Sequence, residues 1–442
     1  MQTPIVDFVK KYAVKKVARF HMPGHKGKKV LFAEQFDITE IDGADNLSAP
    51  DGIIKQSEDN TSKLFGTKKS CFSTEGSSLS IKAMLSAFVK KGERNVIFAG
   101  RNVHKAFINS AILLDFEIKW LYGESFDNYL SANITPAYLK NVLSENEKPT
   151  AVYITSPDYL GNIADIKGLK EVCDEFLVPL LVDNAHGAYL KFLSNDMHPI
   201  TLGATACADS AHKTLPVLTG GAYLHFSSSA QDYIDLQSVK DDLSLFATTS
   251  PSYLIMASLD NANKILAKDF KDKLAKTVDE VDKLKEYLSK LGVAVKKSEP
   301  LKIVIDAKKC GYTGFEILQL LSAKGIVVEF YDEDFVCLMP SPYNTKKDFK
   351  KLKSAFKGFT IKKEIKKSSF NLKTVSVLTP RQAYYSKKIK VKTQDALGKI
   401  LADISYSCPP AVPIAVIGER LDENAVSALN YYGIKEVSVV KE

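Results

Sequence analysis

A short apolar run, Val178 to Val182, ends in Asp183, and it constrains the fold more than any other stretch. An apolar run of this length bounded by polar residues reads as a strand buried on both faces. Such strands belong to parallel sheets covered by helices. Asp183 then sits at the carboxyl end of a strand, where open α/β sheets place their ligands. Thirty positions further on, Lys213 lies inside Ser210-Ala211-His212-Lys213-Thr214.

An acid at a strand end, followed by a lysine in a turn rich in Ser, His and Thr, suits pyridoxal phosphate (PLP). That cofactor needs a lysine to carry it as an imine and an acid to keep its pyridine nitrogen protonated. A partly desolvated lysine beside the cationic ring loses its proton more readily. Ser210, His212 and Thr214 offer side-chain donors for a phosphate. The bland alternative makes Asp183 a loop acid and Lys213 a surface residue. With 60 Lys and Arg in the chain, a lone lysine carries no weight, and spacing alone leaves both readings open.

The remaining composition narrows the class. The chain has 442 residues, enough for two or three domains, with 45% hydrophobic and 25% charged residues, as in ordinary globular proteins. No apolar run approaches the roughly 20 residues of a membrane span, and MQTPIVDFVKKYAVKK lacks the apolar core of a signal peptide. A cytoplasmic protein without a membrane partner is expected. The six cysteines (71, 173, 207, 310, 337, 408) form no CxxC pair, which argues against both a structural zinc site and a disulfide framework. The net charge is +8, and lysines concentrate at helical spacing between Lys346 and Lys367. A solvated helix face explains them better than nucleic-acid binding.

In chain order, residues 1 to about 18 read as an amphipathic helix. RFHMPGHKG (Arg19 to Gly27) follows as a loop, and Pro23-Gly24 between His21 and His25 spoils the helix that a His-x3-His metal site would need. Glu40, Asp42, Asp45 and Asp51 cluster among loop formers, where they suit either solvent or a basic substrate. Ser57 to Phe65 reads as a helix with Gly66 as its C-cap. CFSTEGSSLSIKAMLSAF reads as strand, loop and helix, and Gly76-Ser77-Ser78 opens that helix with N–H groups and hydroxyls for an anion. Asn95 to Ala99 and Ala151 to Thr155 are further strands, and Ile166 to Phe176 is a helix. Pro251 suits the first turn of the next helix, and Ser258 to Leu291 reads as one long helix. Lys302–Ile305, Val327–Phe330 and Phe335–Leu338 as strands, with Gly314–Ala323 and Lys346–Phe356 as helices, make a compact α+β unit.

The longer motifs go further. RFHMPGHKG, TEIDGADNLSAPDGIIKQSE (from Thr39), RNVHKA (from Arg101), DNAHGAY (from Asp183), SAHKTLPVLTGGAYL (from Ser210) and TTSPSYLIMASLD (from Thr248) stand in this order. Together they resemble the Orn/Lys/Arg decarboxylases, fold-type-I PLP enzymes, from about residue 19 to about residue 420. The resemblance implies an α/β large domain with a mostly parallel sheet at 39–275, after an N-terminal arm at 1–38. A small α+β domain at 276–368 and a C-terminal domain at 369–442 complete the expected division. It implies catalytic roles for Lys213, Asp183, His104 and His212, with His104 stacked on the pyridine ring and His186 near Asp183. Gly76, Ser77, Ser78, Ala185, His186, Ser210, His212 and Thr249 join the expected cofactor-binding set, Thr249 from a neighbouring subunit. An active site shared across a homodimer or higher homo-oligomer follows.

The chain departs from the family at Asn46, Ser48, Glu75, Ile81, Asn184 and Tyr189, and in Ser407 to Pro413. Glu75 is expected to point away from the phosphate. The resemblance implies decarboxylation of a basic amino acid, with arginine ahead of lysine and ornithine. Two alternatives stand beside it. One is an aminotransferase or another fold-type-I lyase that grips the substrate carboxylate with Arg381 or Arg420. The other is a non-catalytic regulatory paralogue.

Overall fold

Alternating strands and helices place the strand-end residues on one large sheet. The computed structural model describes all residues except 16, 91, 125, 127, 405–409 and 442, so Ser407 to Pro409 of the departing segment lie outside the described residues. The strands of the large sheet are β1 (Lys69–Ser73), β2 (Val96–Gly100), β3 (Glu117–Leu121), β4 (Ala151–Thr155), β5 (Leu180–Asp183), β6 (Ala206–Asp209) and β7 (Ala222–Phe226). Their order is β1-β7-β6-β5-β4-β2-β3. β4 and β5 run parallel, as do β5 and β6, while β7 lies antiparallel to both β6 and β1. β5, β6 and β7 are buried at every residue, which is why β5 carries an unbroken apolar run rather than an alternating one.

The chain divides into two compact units. The first comprises residues 1–97, 146–156 and 166–271, and the second 98–145, 157–165 and 272–442. In the first, the N-terminal helix Pro4–Val14 packs on the helices Ile53–Phe65 and Tyr253–Leu266. Buried Asp260 fixes that contact. Its Oδ2 accepts from the Ile5 and Val6 N–H groups at 3.0 Å each, and its Oδ1 accepts from Ser57 Oγ at 2.6 Å. Two otherwise unsatisfied donors of the first helical turn are thereby paired. Burial pushes the Asp260 carboxyl up to about 6. Gly66 ends the Ile53–Phe65 helix at φ 71, as its C-cap position requires.

In the second unit, β8 (Val295–Lys296), β9 (Ile303–Asp306), β10 (Phe330–Tyr331) and β11 (Phe335–Leu338) form an antiparallel sheet of order β10-β11-β9-β8. Helices Gly314–Ala323 and Lys346–Ala355 close one core with Val281, Leu284, Ile303 and Ile305. Two further ladders follow, β12 (Val375–Ser376) with β14 (Glu419–Arg420) and β13 (Lys388–Lys392) with β15 (Glu436–Val440). Among the described residues, no helix is long and apolar enough to cross a membrane.

Three local expectations change. The single helix Ser258 to Leu291 is two helices, Tyr253–Leu266 and Phe270–Lys290. No Gly or Pro marks the break, so the apolar periodicity ran through it. Ser252, not Pro251, starts the first helix: its side chain accepts from the Ile255 N–H, and Pro251 lies just outside. The strand expected at Val327 to Phe330 reduces to Phe330–Tyr331, with Val327 exposed.

Candidate active site

β5 ends at Asp183, and its register sets the direction of that side chain. Asp183 pairs with Ala208 of β6, so Cys207 and Asp209, its neighbours in β6, face the other side of the sheet. Asp183 Oδ2 accepts from Tyr153 Oη at 3.2 Å, and Oδ1 accepts from the Ala185 N–H at 3.1 Å. Burial raises the Asp183 carboxyl above its ordinary range, while the Lys213 charge and these donors pull it back. A cation placed against it would restore the ionised form.

Lys213 lies in the short turn Ala211–Thr214 directly after β6, and its Nζ is 3.0 Å from His186 Nε2. The Asp183-to-Tyr189 segment therefore supplies both the strand-end acid and a histidine that touches the lysine. His212 is fixed from two sides. Its backbone N–H and its Nδ1 both meet the Gly221 carbonyl, at 3.1 and 2.9 Å. Burial lowers the His212 imidazole below its usual range. A neutral ring donating from Nδ1 keeps Nε2 as its remaining polar atom.

The helix Ser77–Phe88 begins at Gly76, φ 73, with no side chain capping its first turn. The Gly76 N–H donates to the Gly220 carbonyl at 2.7 Å, and Ser210 Oγ donates to Ser77 Oγ at 2.7 Å. A Cβ on Gly76 would come within 4.0 Å of both His212 Cε1 and the Ser78 N. Gly76, Ser77, Ser78, Ser210 and His212 thus surround one uncapped helix start. The Thr155 and Thr214 hydroxyls of this unit are enclosed and have no hydrogen-bond partner among the described residues. Uncapped N–H groups, hydroxyls and a lysine fit a phosphate ester, and buried Asp183 fits a protonated ring nitrogen. The residues present therefore fit PLP.

His104 belongs to the second unit. There its Nδ1 accepts from the Ala106 N–H at 3.1 Å and caps the helix Lys105–Leu114. Thr249 is exposed in the segment before Ser252, and the neighbouring Thr248 N–H donates to Glu75 Oε1 at 2.7 Å. Glu75 is itself exposed. Of the four loop acids, Asp45 is structural: its carboxylate accepts from the N–H groups of Asn46, Asp51, Gly52 and Ile54. Burial pulls that carboxyl up, but the backbone donors outweigh it and hold it below the usual range. His21 and His25 engage Tyr12 and Asp37 separately. Arg381 donates to the Ile112 and Leu113 carbonyls, and Arg420 to the Gly398 carbonyl, so both guanidinium groups already hold backbone of their own unit.

Tyr153 escaped the sequence reading, because a tyrosine inside an apolar strand carries no signal of its own. Arg101 did too. It is fully buried, donates to the Pro413 and Ile414 carbonyls, and pairs with Glu419 at 3.2 Å. The only hint was its place in the RNVHKA motif.

A strand-end acid beside a turn lysine on an α/β sheet defines a class of amino-acid enzymes, and the comparisons specify it. The family profile described as Orn/Lys/Arg decarboxylase, major domain, matches residues 3–313, and the chain belongs to this family. It is an amino-acid decarboxylase, and the family implies PLP. The chain is 30% identical to the arginine decarboxylase of Bacillus subtilis, over 96% of this chain and 92% of that protein. It is 28% identical to the arginine decarboxylase of Halalkalibacterium halodurans, over 96% and 92%. The fold is shared with the lysine decarboxylase LdcF of Francisella novicida, with TM-score 0.82, 17% identity, 99% of this chain and 81% of that one.

Proposed function

We propose that this chain decarboxylates arginine, with PLP held on Lys213. The observation that carries the substrate is the 30% identity, over nearly the whole chain, to a protein named arginine decarboxylase. Asp183 would face the pyridine nitrogen. Gly76, Ser77, Ser78, Ser210 and His212 would hold the phosphate, joined by Thr249 from a second subunit of a homodimer. Ala185 supports this arrangement by fixing the Asp183 carboxylate through its N–H. His104 would stack on the ring. When bound, PLP supplies an electron sink for the pair released as carbon dioxide departs.

The chain's own groups handle the protons. Lys213 must shed one before it can bind a carbonyl, and His186 Nε2, 3.0 Å from Nζ, is placed to take it. After carbon dioxide leaves, Lys213 Nζ or His212 would return a proton to the substrate Cα. Asp183, enclosed and held by Tyr153 and Ala185, keeps its orientation throughout. In this reading, residues 39–275 carry the cofactor, behind the 1–38 arm, while 276–368 and 369–442 form the small and C-terminal domains.

The test is mass spectrometry of the PLP-loaded protein with arginine, lysine and ornithine separately, with Lys213→Ala as control. Arginine lighter by one carbon dioxide, absent in the control, is the expected result. Turnover of lysine or ornithine instead would reassign the substrate, and a keto acid would move the chain to transamination.

A further inference from the structure

On the side of the sheet opposite Asp183 lies a second cluster of titratable groups, which the decarboxylation reading leaves unused. Cys207 and Asp209 stand two apart on β6 and face the same side. β7 brings His225 opposite Cys207 in register, and His198 arrives from the segment before β6. All four side chains are buried, with relative exposure of 0% each. His198 Nε2 lies 3.0 Å from Asp209 Oδ2 and 3.9 Å from Cys207 Sγ, and Cys207 Sγ lies 3.7 Å from Asp209 Oδ1. His225 Nε2 is 3.6 Å from Asp209 Oδ2 and, although fully buried, has no hydrogen-bond partner among the described residues.

We propose that His198, Cys207 and Asp209, with His225 as fourth donor, bind a divalent metal ion of the zinc class in a structural site. Bond lengths of about 2.0–2.3 Å put tetrahedral ligand atoms roughly 3.2–3.8 Å apart, close to the distances found among the first three residues. His225 stands farther out and completes the set by a side-chain shift toward Asp209. Two imidazoles, a thiolate and a carboxylate are the donor types zinc takes. Their two negative charges balance the dication, so the site can be buried without net charge.

The surroundings are those of a metal site. Ser70 Oγ lies 2.8 Å from His225 Nδ1 and 2.6 Å from Thr67 Oγ1. A proton on Nδ1 directed to Ser70 leaves the Nε2 lone pair aimed at the cluster. Asn184 Nδ2 donates to Asp209 Oδ1 at 2.7 Å, which orients that carboxylate. The Phe65 ring stacks on His225 at 4.5 Å and meets His198 edge-on at 5.2 Å, so water is kept out. With four protein donors and no open position, the site is structural rather than catalytic. Asn184 directly follows Asp183, so the ion would brace the strand end that carries the active-site acid.

Metal analysis of the PLP-loaded protein, refolded with zinc and dialysed, tests this directly. About one zinc per chain is expected, with X-ray absorption showing one sulfur and three nitrogen or oxygen ligands. Cys207→Ala should lose the sulfur shell and most of the metal, and Cys71→Ala should keep both. A folded wild-type protein that retains less than a tenth of an equivalent after refolding with excess zinc overturns the proposal. So does a first shell without sulfur, or retention unchanged in Cys207→Ala. If Cys207→Ala does not fold, His198→Gln replaces it, and the wild-type absorption spectrum still decides.

Discussion

At the scale of single residues, the strand-end acid depends on a neighbour that the sequence hid. Tyr153 Oη is one of two donors to Asp183, and a hydrogen bond to a charged group contributes about 1.5–3 kcal/mol. Tyr153→Phe should therefore weaken PLP binding roughly tenfold or more, as read by absorbance titration of the apoprotein, while the fold persists. Ala411 shows a different dependence. It adopts φ 55, and its carbonyl accepts from the Lys105 N–H at 2.9 Å, beside His104. The left-handed conformation costs an L-residue about 1–2 kcal/mol relative to glycine. Ala411→Gly should raise stability by about 1 kcal/mol in urea denaturation, net of the added freedom of the unfolded chain. Asp183, Lys213 and His186 stood out as candidates because chemistry ties each residue type to a motif, and the structure puts Asp183 at a strand end and Lys213 Nζ 3.0 Å from His186 Nε2. Tyr153 was not, because only strand register reveals what it touches.

At the scale of elements, strands β4 and β5 and the helix ending at Gly66 were readable from apolar runs and turn residues. The break between Leu266 and Phe270 was not, since nothing local opposes a continuous helix there. The buried cluster of His198, Cys207, Asp209 and His225 was invisible for a related reason. A search for CxxC spacing sees residues from one loop, whereas these side chains come from two adjacent strands and the segment before them. The turn before β7 was marked by its glycines, and the structure shows why they are needed. Gly220 has φ 98, and a Cβ there would lie 2.7 Å from the Thr74 carbonyl oxygen. Its own carbonyl holds the Gly76 N–H. Gly220→Ala should destabilise by more than about 1 kcal/mol and weaken PLP binding, because the strained turn abuts the uncapped helix start. Paired thermal melts with and without PLP would show whether the second effect accompanies the first.

At the scale of the whole molecule, the chain path through the two units was not readable. Residues 98–145 and 157–165 belong with the C-terminal half, an exchange that linear composition cannot reveal. Within the first unit, a polar contact between residues distant in sequence carries a pH signature. Asp260 is raised to about 6 by burial, from an ordinary 3.8, with the Asp7 charge adding to the shift. The folded state thus holds a proton that the unfolded chain has already released between those values. Asp260 therefore favours folding most below pH 4, and that contribution falls as pH rises toward 6. Relative to Asp260→Asn, the wild type should lose on the order of 2–3 kcal/mol across that interval, measured by urea denaturation of both proteins.

The same carboxylate has a consequence for trimming the chain. Residues 1–6 look dispensable, at the very start of a lysine-rich helix. Yet Ile5 and Val6 supply two of the three donors to Asp260. Cutting them away would leave a sealed carboxylate with Ser57 alone. Protease nicks or truncations ahead of residue 7 should therefore loosen the packing around the Tyr253–Leu266 helix, far along the sequence from the cut.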